Sequence, residues 1–199
     1  MKKHFKQINR EITTGFTLVE TLVAISIFTL SVLVMLVVLG GGISDANHSK
    51  NKLVASYLAQ EGIELMRSLR DTYVLYGGDT GWTDFQTAIV NCGAGASAGG
   101  SGCYLYDQNS LVPPITEIEI YDCTPSGGFP CQELNYSEGD GYSYDQDVGN
   151  VGSGFARVIL VEDVNQKEKK ITSTVHWFRG TNDYKVSFSS YLFDWMPSI

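Results

Sequence analysis

Residues 13–42 read TTGFTLVETLVAISIFTLSVLVMLVVLGGG, a long apolar run with one acidic residue near its start. Residues 21–44 carry no charged side chain. As an α-helix they would extend about 36 Å, which is enough to cross the roughly 30 Å hydrocarbon core of a bilayer. Lysine and arginine side chains precede the apolar run, within the first ten residues. This positive flank predicts that the N-terminus stays in the cytoplasm and that the rest of the chain lies outside.

Glu20 is the unusual residue of this stretch, because a charged side chain at the centre of a bilayer costs about 2.5–3.5 kcal/mol on insertion scales. A secretory signal peptide has an apolar core of only about 7–15 residues, followed by a small-residue cleavage site. This run is longer, and no Ala-x-Ala site follows it. A plain signal anchor explains the length and the basic flank, but it explains neither Glu20 nor the step from Gly15 to Phe16.

Residues 15–20, GFTLVE, resemble the processing motif of type IV prepilins and pseudopilins. In that family a membrane peptidase cuts after the glycine, and the new amino terminus is methylated. The resemblance implies that residues 1–15 are a basic leader, cut from the chain between Gly15 and Phe16, and that Phe16 is then methylated. It also implies an assembly role for Glu20, whose carboxylate would meet the charged amino terminus at Phe16 of another subunit.

The sequence leaves two other interpretations of Glu20 open. It can lie at the depth of the lipid headgroups, or it can pair with Phe16 of its own chain. A buried pair of opposite charges compensates for its desolvation only when its geometry is good. A pair between subunits would therefore fix the register in which the subunits assemble more than it would increase the affinity between them.

A second helical pattern follows the apolar run, over residues 44–71. Its apolar side chains fall on one side of a helix: Val54, Leu58, Leu65, Met66 and Leu69. Its polar side chains group on the other side: Lys52, Ser56, Gln60, Glu64, Arg67 and Arg70. This pattern is typical of an amphipathic helix. We therefore expect a transmembrane and assembly helix over residues 16–43 that continues as a spine helix over 44–71. Each mid-helix glycine of residues 40–42 costs about 1 kcal/mol relative to alanine, which predicts a kink or a melted stretch there.

The four cysteines are Cys92, Cys103, Cys123 and Cys131, all in the polar part of the chain. An even number of cysteines in an exported chain favours disulfides. Proximity in sequence suggests the pairs Cys92–Cys103 and Cys123–Cys131, although four cysteines allow three pairings. A zinc site of four thiolates is the alternative, but neither spacing has the short CxxC form of such sites.

Residues 72–199 are predicted to form a globular extracytoplasmic head. A loop rich in Gly, Ser and Ala occupies residues 92–103. Residues 155–163, 169–180 and 183–195 alternate in the manner of strands, and turn-like segments separate them. These strands predict an antiparallel meander with one face on the spine helix, and residues 111–123 are a candidate further strand. The fold class is therefore α+β, and the resemblance implies the type IV pilin fold.

The composition bears on the chemistry of the head. The formal net charge of −8 argues against nucleic-acid binding by the head. No Ser/His/Asp arrangement, HExxH motif or phosphate-binding glycine loop is present in the sequence, so we expect neither catalysis nor a cofactor. Asp140, Asp145 and Asp147 are candidates for calcium, which prefers such oxygen ligands; the alternative is a solvated turn.

The sequence thus predicts a structural subunit, a minor pilin or pseudopilin of a type IV pilus or of a type II secretion-like filament. Its partners would be other pilin subunits, the prepilin peptidase and methyltransferase, and the assembly machinery of the cytoplasmic membrane. It would cross that membrane once and then enter a cell-surface or periplasmic filament. The alternatives are the major pilin, and a membrane-anchored binding protein or tip adhesin, whose mark would be an exposed aromatic or charged pocket on the head.

Overall fold

A computed structural model describes residues 15, 17–93, 102–105, 119–139, 141–144 and 151–195. The chain divides into two compact units, one up to His48 and one from Ser49 onwards. The strand predicted over residues 111–123 falls partly outside the described residues.

Helix α1 is the dominant element and runs for 60 residues, from Leu18 to Gly77. The melted stretch predicted at residues 40–42 is not observed, because α1 stays helical through all three glycines. Glycine weakens a helix, but long flanking segments keep it cooperative. The helix continues six residues past the predicted end at Asp71 and stops where Gly78 takes a φ of 56°. This left-handed conformation is typical of the glycine that follows a helix.

The second half of α1 buries one side against the head. Its buried residues are Ala55, Leu58, Ala59, Gly62, Ile63, Leu65, Met66, Leu69, Arg70 and Val74. The predicted apolar side of the helix is therefore confirmed as the buried side at Leu58, Leu65, Met66 and Leu69. The placement of Arg70 on the exposed side was wrong. Its guanidinium donates a 2.9 Å hydrogen bond to the carbonyl oxygen of Phe193 and a 2.6 Å bond to Asp71, so these partners replace its water.

The head is built on an antiparallel sheet of seven described strands. They are β1 (Cys103–Leu105), β2 (Ile120–Asp122), β3 (Glu133–Ser137), β4 (Gly141–Ser143), β5 (Val151–Asn165), β6 (Glu168–Arg179) and β7 (Asn182–Phe193). The predicted meander is confirmed, since β6 pairs with β5 on one side and with β7 on the other. The opposite edge of the long strand β5 pairs with β1 and with β3, which extend to β2 and β4 respectively.

A short helix, α2 (Gly81–Ala88), follows α1 and was not predicted. Its Trp82 indole donates a 2.9 Å hydrogen bond to the carbonyl oxygen of Gln166, and Phe85 is fully buried. The start of α2 comes so close to α1 that a Cβ on Gly81 would lie 2.4 Å from the carbonyl oxygen of Tyr73. Glycine at this position is therefore required for the close approach.

Two disulfides join the four cysteines, Cys92 to Cys103 and Cys123 to Cys131. These are the pairings that proximity in sequence suggests, and no thiolate is left for the alternative zinc site. Cys92 and Cys103 are fully buried in the core beside Met66, Leu69 and Phe85. The first disulfide therefore fastens the segment after α2 to strand β1 inside the core. The fold class is α+β, a long N-terminal helix packed on an antiparallel sheet.

Candidate assembly helix

Helix α1 begins with a side-chain cap at Thr17. The Thr17 hydroxyl accepts a 3.3 Å hydrogen bond from the backbone N–H of Glu20, and the Thr17 carbonyl accepts one of 3.2 Å from Thr21. This is half of a capping box, the T-x-x-E pattern in which the first residue caps the helix and the acid lies three positions later. The carboxylate of Glu20 is exposed in the first turn, where the helix dipole favours negative charge.

The apolar half of α1 is exposed around its whole circumference. Its large exposed hydrophobic residues are Leu18, Val19, Leu22, Val23, Ile25, Ile27, Phe28, Leu30, Val32, Leu33, Val34, Met35, Leu36, Val37, Val38, Leu39 and Ile43. An 18-residue window of this segment has a mean hydropathy of 3.0, and none of it is buried. An apolar surface of this kind needs a cover of lipid or of protein. By length and composition the helix is able to span a membrane.

The hydroxyl groups of this segment bond within the helix. Ser26 donates to the carbonyl oxygen of Leu22 and Ser31 to that of Ile27, each over 2.8 Å. Thr21 and Thr29 bond in the same way to the carbonyl oxygens of Leu18 and Ser26. Such local bonds satisfy hydroxyls that would otherwise be unpaired in an apolar medium. The surface offered to lipid or to other helices is therefore apolar despite its serines and threonines.

The structure tests few of the predicted site residues. Gly15 is exposed, and none of the described residues comes within 4 Å of where its Cβ would stand. Phe16, the proposed partner of Glu20, lies outside the described residues, as do Asp140, Asp145 and Asp147. Within the described part of the chain, no group of three or more His, Cys, Asp or Glu side chains is placed to hold a metal ion.

A partly buried ion pair joins α1 to the sheet, and sequence reasoning missed it. The guanidinium of Arg157, only 2% exposed, donates bonds of 3.1 Å to the Glu61 carboxylate and 3.2 Å to the Leu58 carbonyl oxygen. A Cβ on Gly62 would lie 2.4 Å from Ser173 Oγ and 3.0 Å from Arg157 Cδ. The missing side chain of Gly62 thus lets the helix come close enough for Arg157 to reach it.

Tyr144, which directly follows β4, also contacts Arg157. Its hydroxyl donates a 3.2 Å hydrogen bond to the carbonyl oxygen of Arg157, and its ring lies 5.9 Å from the guanidinium carbon. Burial raises the pKa of Tyr144 to about 12, and the nearby positive charge of Arg157 offsets part of that rise. The Tyr144 phenol therefore stays protonated and adds no charge beside the ion pair of Arg157 and Glu61.

The comparisons with known proteins found no matching family model, no matching curated protein and no matching solved structure. The architecture itself is pilin-like, since a long apolar N-terminal helix continues into a segment packed on an antiparallel sheet. The two disulfides indicate that the head folds in an oxidising, extracytoplasmic compartment.

Proposed function

We propose that this chain is a structural subunit, a minor pilin or pseudopilin, of a type IV pilus or a type II secretion-like filament. The observation that carries the proposal is the fully exposed apolar half of α1, joined without interruption to a half that is packed on the head. Such a helix has two covers available, the lipid of the cytoplasmic membrane before assembly and the same helix of other subunits afterwards. The role is structural and uses no catalytic residue.

Processing prepares the helix for assembly in this proposal. Prepilin peptidase cuts between Gly15 and Phe16 and removes the basic residues that hold the N-terminus at the cytoplasmic surface. The exposed position of Gly15 and the start of α1 only three residues later support an accessible cleavage site. Methylation of Phe16 keeps its amino group positively charged. The assembly machinery then receives a subunit whose cytoplasmic anchor is gone.

Glu20 acts in the proposal as the register residue of the filament. Its carboxylate is exposed at the first turn of α1, and it is the single charge between residues 17 and 44. In an apolar bundle it is stable only next to an opposite charge, and the new amino terminus at Phe16 of a neighbouring subunit supplies one. Removing one partner of a buried pair costs about 3–5 kcal/mol, enough to prevent stable incorporation.

Two substitutions of Glu20 separate this role from helix capping. Glutamine serves as well as glutamate at the third position of a capping box, so Glu20→Gln removes the charge and keeps the cap. We expect Glu20→Gln and Glu20→Ala to be cleaved normally and to be lost from sheared filaments, as quantified by immunoblotting. Ser31→Ala, which changes a hydroxyl bonded within the helix, is the matched control and should assemble. Normal incorporation of Glu20→Gln would refute the charge pair.

A further inference from the structure

Two large side chains on the outer side of helix α1 are exposed where the helix begins to pack on the head. Leu53 is 57% exposed and Tyr57 is 64% exposed, and the two stand about one helical turn apart. On the opposite side of the helix at the same level, Ala55, Leu58 and Ala59 are buried in the core of the head. This part of α1 is therefore apolar on two opposite sides, and the described part of the head covers one of them.

Lipid does not reach Leu53 and Tyr57 in the proposed membrane orientation. The uncharged run of α1 ends at Ser44, and charged side chains follow from Asp45 onwards. At 1.5 Å per residue, Leu53 lies about 13 Å beyond Ser44 and Tyr57 about 20 Å beyond it. The headgroup layer outside the hydrocarbon core is only about 5–8 Å thick on each side. The apolar cover available to these two side chains is therefore protein.

The apolar half of α1 needs a cover as well. Within the described residues no part of its 18-residue apolar window is buried, and its exposed side chains surround the helix on every side. In the proposed function, on which this inference rests, this half leaves the lipid when the subunit joins a filament. A subunit displaced outwards by fourteen residues of helix, about 21 Å, has its Leu39 level with Leu53 of a parallel neighbour and its Ile43 level with Tyr57.

We propose that Leu53 and Tyr57 bind the apolar half of α1 of a second copy of this chain, parallel to the first and displaced outwards by at least about 21 Å. Because that half is apolar on every side, it fits against the two side chains at any rotation about its own axis. Both helices point the same way, as insertion into one membrane requires. The contact removes from water two apolar surfaces that lipid no longer covers, and such burial is the main driving force of protein association.

A photoreactive side chain at position 57 tests the contact directly. p-Benzoylphenylalanine in place of Tyr57 keeps an aromatic ring at this exposed position of the full-length chain. Illumination of sheared filaments should give covalent dimers, and peptide mass spectrometry should place the link within residues 21–43 of the second chain. The same variant in the membrane fraction, before assembly, is the control and should give no dimer. Links to lipid, to the head of the second chain or to another protein, or no link in filaments that do form, would overturn the contact.

Polar substitution tests whether the contact contributes to assembly. Leu53→Gln/Tyr57→Gln removes the apolar surface without adding a charge, and glutamine is a good helix former. Both side chains are exposed in the single chain, so the variant should keep the melting temperature of the parent protein. Burial of one large apolar side chain is worth about tenfold or more in an equilibrium constant, so incorporation into sheared filaments should fall at least about tenfold. Gln60→Ser/Ser68→Gln changes two exposed polar positions of α1, and this matched control should assemble normally.

The outcomes distinguish a failure of this contact from a failure of the proposed function. Filaments of cleaved subunits that incorporate Leu53→Gln/Tyr57→Gln at the parent level would overturn the contact and leave the filament role standing. A parent chain that is neither cleaved nor assembled would overturn both.

Discussion

The close contact between α1 and the sheet at Gly62 predicts that Gly62→Ala destabilises the protein. In an ordinary helix interior this change stabilises by about 1 kcal/mol. Here the new Cβ would lie 2.4 Å from Ser173 Oγ, 3.2 Å from Ser173 Cβ and 3.0 Å from Arg157 Cδ, all closer than ordinary contact. Such overpacking costs about 1–3 kcal/mol. Any displacement of Arg157 also weakens its charged hydrogen bonds, each worth about 1.5–3 kcal/mol.

The balance is a net destabilisation of about 2 kcal/mol, which corresponds to a fall of about 4–8 °C in melting temperature for a domain of this size. Thermal unfolding of the full-length protein, followed by tryptophan fluorescence, measures it. Gly41→Ala is the matched control, because beyond the backbone of α1 itself no atom of the described residues lies within 4 Å of its Cβ position. The double variant Gly62→Ala/Ser173→Ala removes the closest contact and should recover part of the loss. A melting temperature raised by Gly62→Ala would refute the close approach of helix and sheet.

Two further predictions concern the head. The folded pKa of Tyr144, about 12, lies above its ordinary value of 10.0. The contribution of the Tyr144 phenol to the free energy of unfolding is therefore complete below pH 10. It falls by about 3 kcal/mol in total as the pH rises through 12. Tyr144→Phe should flatten the fall in melting temperature between pH 10 and 12, and an unchanged slope would contradict the burial of the phenol. The pair Cys92→Ala/Cys103→Ala opens a loop whose ends are 11 residues apart, and it should cost about 3 kcal/mol through the unfolded state. Chemical denaturation measures that loss, and an unchanged unfolding midpoint would show that the bond does not constrain the chain.

Local sequence patterns predicted helix α1 and strand β6. The alternation within residues 169–180 predicted a strand with one buried side, and Ile171, Val175 and Trp177 on one side of β6 are all buried. The apolar run identified α1 because its length and composition suit a helix in lipid. The cap at Thr17 could also have been found, since T-x-x-E is visible in the sequence as TLVE.

Features that depend on distant partners escaped sequence reasoning. Arg157 stands within a run of apolar residues, 155–160, and shares its face of β5 with Phe155 and Ile159. Its partner Glu61 lies 96 positions away, so no local pattern names it. Helix α2 is only eight residues long, and its position depends on the bond of Trp82 to Gln166, 84 residues further on. Short elements have little intrinsic stability of their own, so their formation is decided by tertiary contacts that no local pattern reveals.

Whether the N-terminus has been cut and methylated decides whether this chain is processed as a filament subunit. Intact-mass and peptide mass spectrometry of the protein isolated from its native cell envelope would read that state. The proposal predicts a chain that starts at Phe16, lacks residues 1–15 and carries one methyl group on its amino terminus. A chain that still starts at Met1 would contradict the proposed processing and, with it, the assignment of this protein as a filament subunit.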